Sequence, residues 1–117
     1  LMQYSGQSNL KRVSLELGGK SPQIVFADCP DLNAAAVSAA WGVFFNQGEV
    51  CTAASRLLVQ EEIADEFVEK LLKVAKKIVP GDPLNPSTTF GSMVSEEQMK
   101  TALRYIGTAS GEGNSLR

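Results

Sequence analysis

The stretch Gln23-Ile24-Val25-Phe26-Ala27-Asp28-Cys29-Pro30-Asp31 decides the fold. Its first five residues are a short apolar run with β-branched and aromatic side chains, the composition of a strand. Its last four read as a helix entry. An acidic side chain is available for the orphan N–H groups of a first turn, and Pro30 sits near that turn, where its missing donor costs little. A helix is therefore expected from near residue 30 to about Asn46. Its body carries Ala34, Ala35, Ala36, Val37, Ala39, Ala40, Trp41, Val43, Phe44 and Phe45 and is apolar nearly all round, as in a helix enclosed by a larger protein. Gly48 is expected to end it, with Cys51 in a short loop, and Arg56-Leu57-Leu58-Val59-Gln60 reads as another buried strand.

Towards the N-terminus, Val13, Leu15 and Leu17 alternate with Arg12, Ser14 and Glu16 as in a strand with one buried face, and Gly18-Gly19 breaks it. Residues 1 to 11 carry no firm signal. Towards the C-terminus, Glu61 to Val79 is expected to be a helix. Ala64, Phe67, Val68, Leu71, Ala75, Ile78 and Val79 share one face, Glu61, Glu62, Asp65 and Glu66 come early, and Lys70, Lys73, Lys76 and Lys77 form a late, solvated face. Pro80-Gly81 stops it, residues 81 to 92 are rich in turn formers, Ser95-Glu96-Glu97 opens a last helix to about Thr108 or Ala109, and Gly111 to Asn114 reads as a loop. Strands alternating with helices make this an α/β layer rather than a bundle or sandwich.

The chain has 117 residues, 44% apolar and 21% charged, enough for one modest core. Eleven Lys and Arg against thirteen Asp and Glu, a net charge of −2, give no electrostatic case for nucleic acid or an acidic membrane. The absence of histidine removes Ser-His and Cys-His pairs and imidazole metal sites, and Cys29 and Cys51, the two cysteines, lack the spacing of a zinc knuckle or a disulfide framework, so no metal is expected. The longest apolar run, Ala34 to Phe45, is too short to span a bilayer. Leu1-Met2-Gln3-Tyr4 lacks the features of a signal peptide, and the expected setting is a piece of a longer cytoplasmic chain.

Two features carry chemistry: a carboxylate beside a double glycine, Glu16-Leu17-Gly18-Gly19, and a thiol in a loop of small residues, Gly48-Glu49-Val50-Cys51-Thr52-Ala53-Ala54-Ser55. Alone, the first reads as a solvated charge and the second as a small buried hydrophobe. Together they suggest a thiol nucleophile and a carboxylate base. With their flanks, Leu15-Glu16-Leu17-Gly18-Gly19-Lys20-Ser21-Pro22 and Phe44-Phe45-Asn46-Gln47-Gly48-Glu49-Val50-Cys51, they resemble the two signature segments of the NAD(P)-dependent aldehyde dehydrogenase superfamily. Cys51 stands 35 positions after Glu16, close to the family's interval, and the resemblance continues through Ser55-Arg56, the helix beginning near Glu61, and Gly81-Asp82-Pro83. Within the family, Val25 to Leu32 and Asn46 to Cys51 are most similar to bacterial enzymes that oxidise gamma-glutamyl-gamma-aminobutyraldehyde and related aminoaldehydes.

The resemblance implies that residues 1–117 are the N-terminal part of a catalytic domain, with the cofactor domain and oligomerisation element lying outside them. It makes Cys51 the nucleophile that forms a thiohemiacetal and then a thioester, and Glu16 the base for hydrolytic water. Leu17 and Gly18 would meet the nicotinamide of NAD or NADP, and Phe45, Val50 and Thr52 would line the aldehyde pocket. The Cys51 N–H would be one oxyanion donor, with its asparagine partner upstream. No G-x-G-x-x-G occurs, so tight dinucleotide binding by these residues alone is not expected. Lys20 reads as a solvated charge, Cys29 as structural, and Asn46 and Gln47 as the end of a helix. The implied partners are a small aldehyde and further copies in a homo-oligomer. Two other readings stay open: a non-catalytic fold piece whose apolar surfaces drive self-association, and a cofactor-independent thiol esterase using Cys51 and Glu16.

Overall fold

Strand β1 (Pro22–Val25) pairs in parallel with β2 (Arg56–Val59), Pro22 opposite Arg56 and Val25 opposite Val59. Parallel partners require a crossover, and helix α2 (Leu32–Phe44) is that connection. These coordinates are a computed structural model, and they describe residues 1–113. Three more α-helices lie among the described residues: α1 (Met2–Gly6), α3 (Ala64–Ala75), entered through a short 3₁₀ turn at Glu61–Ile63, and α4 (Glu96–Gly111). Among the described residues no helix is long and apolar enough to cross a membrane, and no group of three potential metal ligands gathers.

The core lies between one face of the sheet and the α2–α3 pair. Val25, Ala36, Ala39 and Phe67 are buried there, with Cys29, Leu32, Leu57, Val59, Ile63 and Leu71 packed against them. The alanines let α3 come close enough for Phe67 to be fully enclosed. Asp31 caps α2, its side chain accepting from Asn33 N at 2.9 Å and Ala34 N at 3.0 Å, and Ser95 caps α4 by accepting from Gln98 N at 3.1 Å. Cys29 is a packing residue, as expected.

Several expectations are corrected. The alternating run Arg12 to Leu17 forms no strand, and Leu15 and Leu17 are 45% and 71% exposed. Alternation marks two faces, but a strand also needs a neighbour for its N–H and C=O groups, and the only ladder among the described residues joins β1 to β2. The Arg56–Val59 strand is half-exposed rather than buried, because Ile24 and Leu58 stand side by side on the uncovered face, 56% and 52% exposed. Helix α2 likewise buries only Ala36, Ala39 and Ala40, leaving Val37 and Trp41 exposed. The Glu61–Val79 helix is shorter than its periodicity, ending at Ala75. Lys70 is not simply solvated: its Nζ bonds Asn33 Oδ1 on α2 at 2.9 Å and pairs with Glu66 at 3.5 Å. Helix α4 runs to Gly111, so the expected loop begins at Glu112, and Asn114 lies outside the described residues.

Phe67→Ala removes the largest enclosed side chain and is expected to lower stability by about 3–5 kcal/mol. Leu84→Ala, at an exposed turn, should stay within about 0.5 kcal/mol. Urea titration of the two variants against the parent chain checks both.

Candidate active site

Parallel pairing brings the segments that precede β1 and β2 to one edge of the sheet. Glu16, Leu17, Gly18, Gly19 and Lys20 lead into β1, and Gly48, Glu49, Val50 and Cys51 precede β2. All nine line one open cleft of about 840 Å3, together with Asn46, Val94 and Gln98. The carboxylate and thiol singled out in the sequence thus share a cavity, and both are exposed to solvent.

The contact between the two segments is made by backbone. A Cβ on Gly19 would stand 2.8 Å from the Cys51 carbonyl oxygen, closer than real Cβ contacts come, so only glycine permits this approach. The same Cβ on Gly18 would meet nothing within 4 Å, which leaves the cleft wall open beside Leu17. Arg56 secures the junction: its Nε donates to the Lys20 carbonyl at 2.8 Å and its backbone N–H to Ser21 O at 3.4 Å. The loop after Cys51 is closed by Ala53 N donating to Val50 O at 3.0 Å and tied to α2 by Ala54 N donating to Gly42 O at 2.9 Å.

A second, smaller pocket of about 270 Å3 lies beside the first, lined by Trp41, Gly42, Phe45, Val50, Thr52, Ala53 and Ala54. Val50 belongs to both walls. The residues expected at the aldehyde pocket, Phe45, Val50 and Thr52, are therefore together, and those expected at the cofactor, Leu17 and Gly18, lie with Glu16 and Cys51 in the larger cleft. Lys20 lines that cleft but donates to the Gly19 carbonyl at 3.2 Å, its own turn, in keeping with the solvated-charge reading.

Helix α2 does not run on to Asn46. Asn46, Gln47 and Gly48 all have positive φ, of 50°, 59° and 77°, so the chain turns left-handed for three residues before Glu49. The sequence shows a reason only at Gly48 and Asn46, since glycine and asparagine tolerate this region and glutamine has no such preference. Val94 and Gln98 reach the cleft from a segment more than forty residues beyond Cys51, a proximity that no local pattern announces.

Residues 1–117 match the aldehyde dehydrogenase family. The chain is similar to the NADP/NAD-dependent aldehyde dehydrogenase PuuC of Escherichia coli, 47% identical over 116 residues that cover 99% of this chain and 23% of that protein. Among solved structures it resembles an indole-3-acetaldehyde dehydrogenase complexed with NAD+, at 54% identity and a TM-score of 0.86 over 96% of this chain and 23% of that one. It also resembles a gamma-glutamyl-gamma-aminobutyraldehyde dehydrogenase from Burkholderia cenocepacia, at 55% identity and a TM-score of 0.86 over 94% of this chain and 22% of that one. The chain thus spans under a quarter of the length of these relatives.

The backbone contact at Gly19 makes a paired prediction. Gly19→Ala must push the Cys51 carbonyl away and should lower stability by about 1–3 kcal/mol, whereas Gly18→Ala, in open space, should stay within about 0.5 kcal/mol. Equal effects in denaturation experiments would show that the approach of the two segments is not tight.

Proposed function

The chain belongs to the aldehyde dehydrogenase family, and from that premise we propose that these residues carry the nucleophile and the water-activating base of an enzyme that oxidises an aldehyde to a carboxylic acid with NAD(P)+. The observation that carries the reading is the gathering of Glu16 and Cys51 in one cleft with Leu17 and Gly18, with the pocket of Phe45 and Thr52 on the far side of Val50. Residues 1–117 would form the opening part of the catalytic domain.

As a thiolate, Cys51 Sγ attacks the aldehyde carbon, forming a C–S bond while the carbonyl electron pair moves to oxygen. The Cys51 backbone N–H would donate to that oxyanion, where fixed dipoles stabilise developing charge. When bound, NAD(P)+ would supply the hydride acceptor for this carbon. Of the residues here, Leu17 and Gly18 would meet its nicotinamide end, and the open space at Gly18 supports that placement. The resulting thioester is hydrolysed when the Glu16 carboxylate takes a proton from water as the water attacks. The C–S bond then breaks, and Cys51 leaves as thiolate with release of the acid. Val50, next to Cys51 in sequence, borders both the cleft and the pocket of Phe45 and Thr52, which supports an aldehyde entering by the pocket and a nicotinamide by the cleft.

The two solved relatives named for chemically unlike aldehydes are 54% and 55% identical to this chain. That near-equality supports a division in which these residues carry the shared chemistry and the choice of aldehyde is made chiefly elsewhere. The uncovered Ile24 and Leu58, with Met99, Leu103 and Ile106 half-exposed along α4, support burial against further protein surface, including other copies in a homo-oligomer. A cytoplasmic location is the accompanying proposal.

In the natural polypeptide that carries these residues, Cys51→Ser should lower aldehyde oxidation by about a thousandfold or more. Glu16→Gln should leave a first-turnover burst of NAD(P)H while slowing steady turnover by about 100-fold or more. Full steady-state turnover in Glu16→Gln would remove Glu16 from the role of base. Ester hydrolysis without a nucleotide that is lost in Cys51→Ala would favour the esterase reading instead.

A further inference from the structure

Resting on the reading of Cys51 as nucleophile, we propose that Gln47 and Glu49 are positioning residues for it: their side chains clamp the left-handed turn before Cys51 onto the backbone of residues 91–94. Three successive left-handed residues are a costly way to leave a helix, because each Cβ then crowds the following carbonyl oxygen, and here they include a glutamine. Such a conformation persists only where its surroundings hold it. Part of the hold is local: Glu49 N donates to Asn46 O at 2.9 Å, and Asn46 Nδ2 donates to Glu49 O at 3.2 Å.

The rest comes from a distant segment. In the amide orientation that satisfies both neighbours, Gln47 Nε2 donates to the Asn46 carbonyl at 3.2 Å and Oε1 accepts from Gly91 N at 2.8 Å. A Cβ on Gly91 would stand 3.1 Å from the Gln47 amide, so the side chain is seated directly on that backbone. Two residues further on, Glu49 Oε1 accepts from Val94 N at 3.4 Å. Both side chains thus receive main-chain N–H groups of one short segment from either side of Gly48. The receiving segment is itself anchored: Gly81 N donates to Phe90 O at 3.0 Å, Pro80 bridges to Phe90, and Phe90 shares a small apolar pocket with Phe44 at the end of α2 and with Ile78. The clamp therefore runs from the end of α2, through residues 90–94, back to the turn that sets where the Cys51 main chain stands.

Neither side chain needs to touch substrate for this role, and the chemistry required of Glu49 is an acceptor, not a charge. That separates two explanations of any effect at residue 49. Glu49→Ala removes the acceptor and the charge, whereas Glu49→Gln removes the charge and keeps an acceptor. In the natural polypeptide that carries these residues, Glu49→Ala and Gln47→Leu should speed amide hydrogen exchange across residues 46–52 and at 91–94. Both should lower kcat for aldehyde oxidation about ten- to a hundredfold, the scale of a small displacement of a reacting group. Glu49→Gln should restore exchange and kcat to within about threefold of the parent, a difference below one ordinary hydrogen bond. Alkylation of Cys29, which packs in the core, should be unchanged in every variant and serves as the control for folding.

Unchanged exchange in both Glu49→Ala and Gln47→Leu would overturn the clamp. Faster exchange with undiminished kcat would overturn its positioning role, and Glu49→Gln as impaired as Glu49→Ala would show that charge matters instead. If Cys51→Ala retained turnover, the nucleophile reading would have failed, while the exchange data would still decide whether the clamp exists.

Discussion

Pairing Pro22 with Arg56 and Val25 with Val59 in parallel leaves little freedom for the residues just before each strand. Parallel strands start at the same edge, so Gly19, three residues before β1, and Cys51, five residues before β2, are delivered side by side although α2 and its flanks separate them in sequence. In open α/β sheets a ligand crevice is expected outside the carboxyl ends of the strands. Here the cleft lies at the opposite edge, ahead of both strand starts. Backbone contact is what makes that edge usable: with 2.8 Å from a Gly19 Cβ to the Cys51 carbonyl, the thiol loop and the Glu16 segment meet without an intervening side chain.

The sheet brings the segments together but does not orient the thiol. Orientation falls to the way α2 ends. Helices commonly stop with one glycine in the left-handed region, whereas here two non-glycine residues precede it. The extra left-handed residues at Asn46 and Gln47 fold the chain back so that Val50 faces both the large cleft and the pocket of Phe45 and Thr52. The energy needed to hold this turn comes from hydrogen bonds to Gly91 and Val94, and those in turn rely on apolar packing around Phe90. Stability at one point of the chain is thus converted into geometry at another, which is how strained backbone is usually sustained.

How legible this was in the sequence varied with the range of the cause. A helix entry within Asp28 to Asp31 and another at Ser95 were readable because a cap acts over three residues, although α2 starts at Leu32, after Asp31 and beyond the expected residue 30. Phe67 was readable as core because its face repeats within one helix. Arg12 to Leu17 misled because alternation records two faces but not whether a second strand lies alongside. The ends of α2 and α3 were overrun for a related reason: apolar residues continue past the last helical residue, yet Phe45 and Val79 are 66% and 64% exposed, so a periodic side chain there records no packed face. Cys51 and Glu16 were found by the types of side chain and their flanks. Gln47, Glu49, Val94 and Gln98 were not, since their significance arises from contacts more than forty residues apart.

The glutamine at position 47 shows what kind of signal such contacts leave. A residue with no left-handed preference, placed between asparagine and glycine in a turn, contradicts its own local propensity. Sequences that fold to one structure are mostly consistent from level to level, so a local contradiction marks a place where something distant decides. At position 47 the distant element is the Gly91 N–H, and glycine at 91 is what lets the amide approach it. The misfit residue and the bare backbone opposite it are two halves of one interaction, and each is explained only by the other.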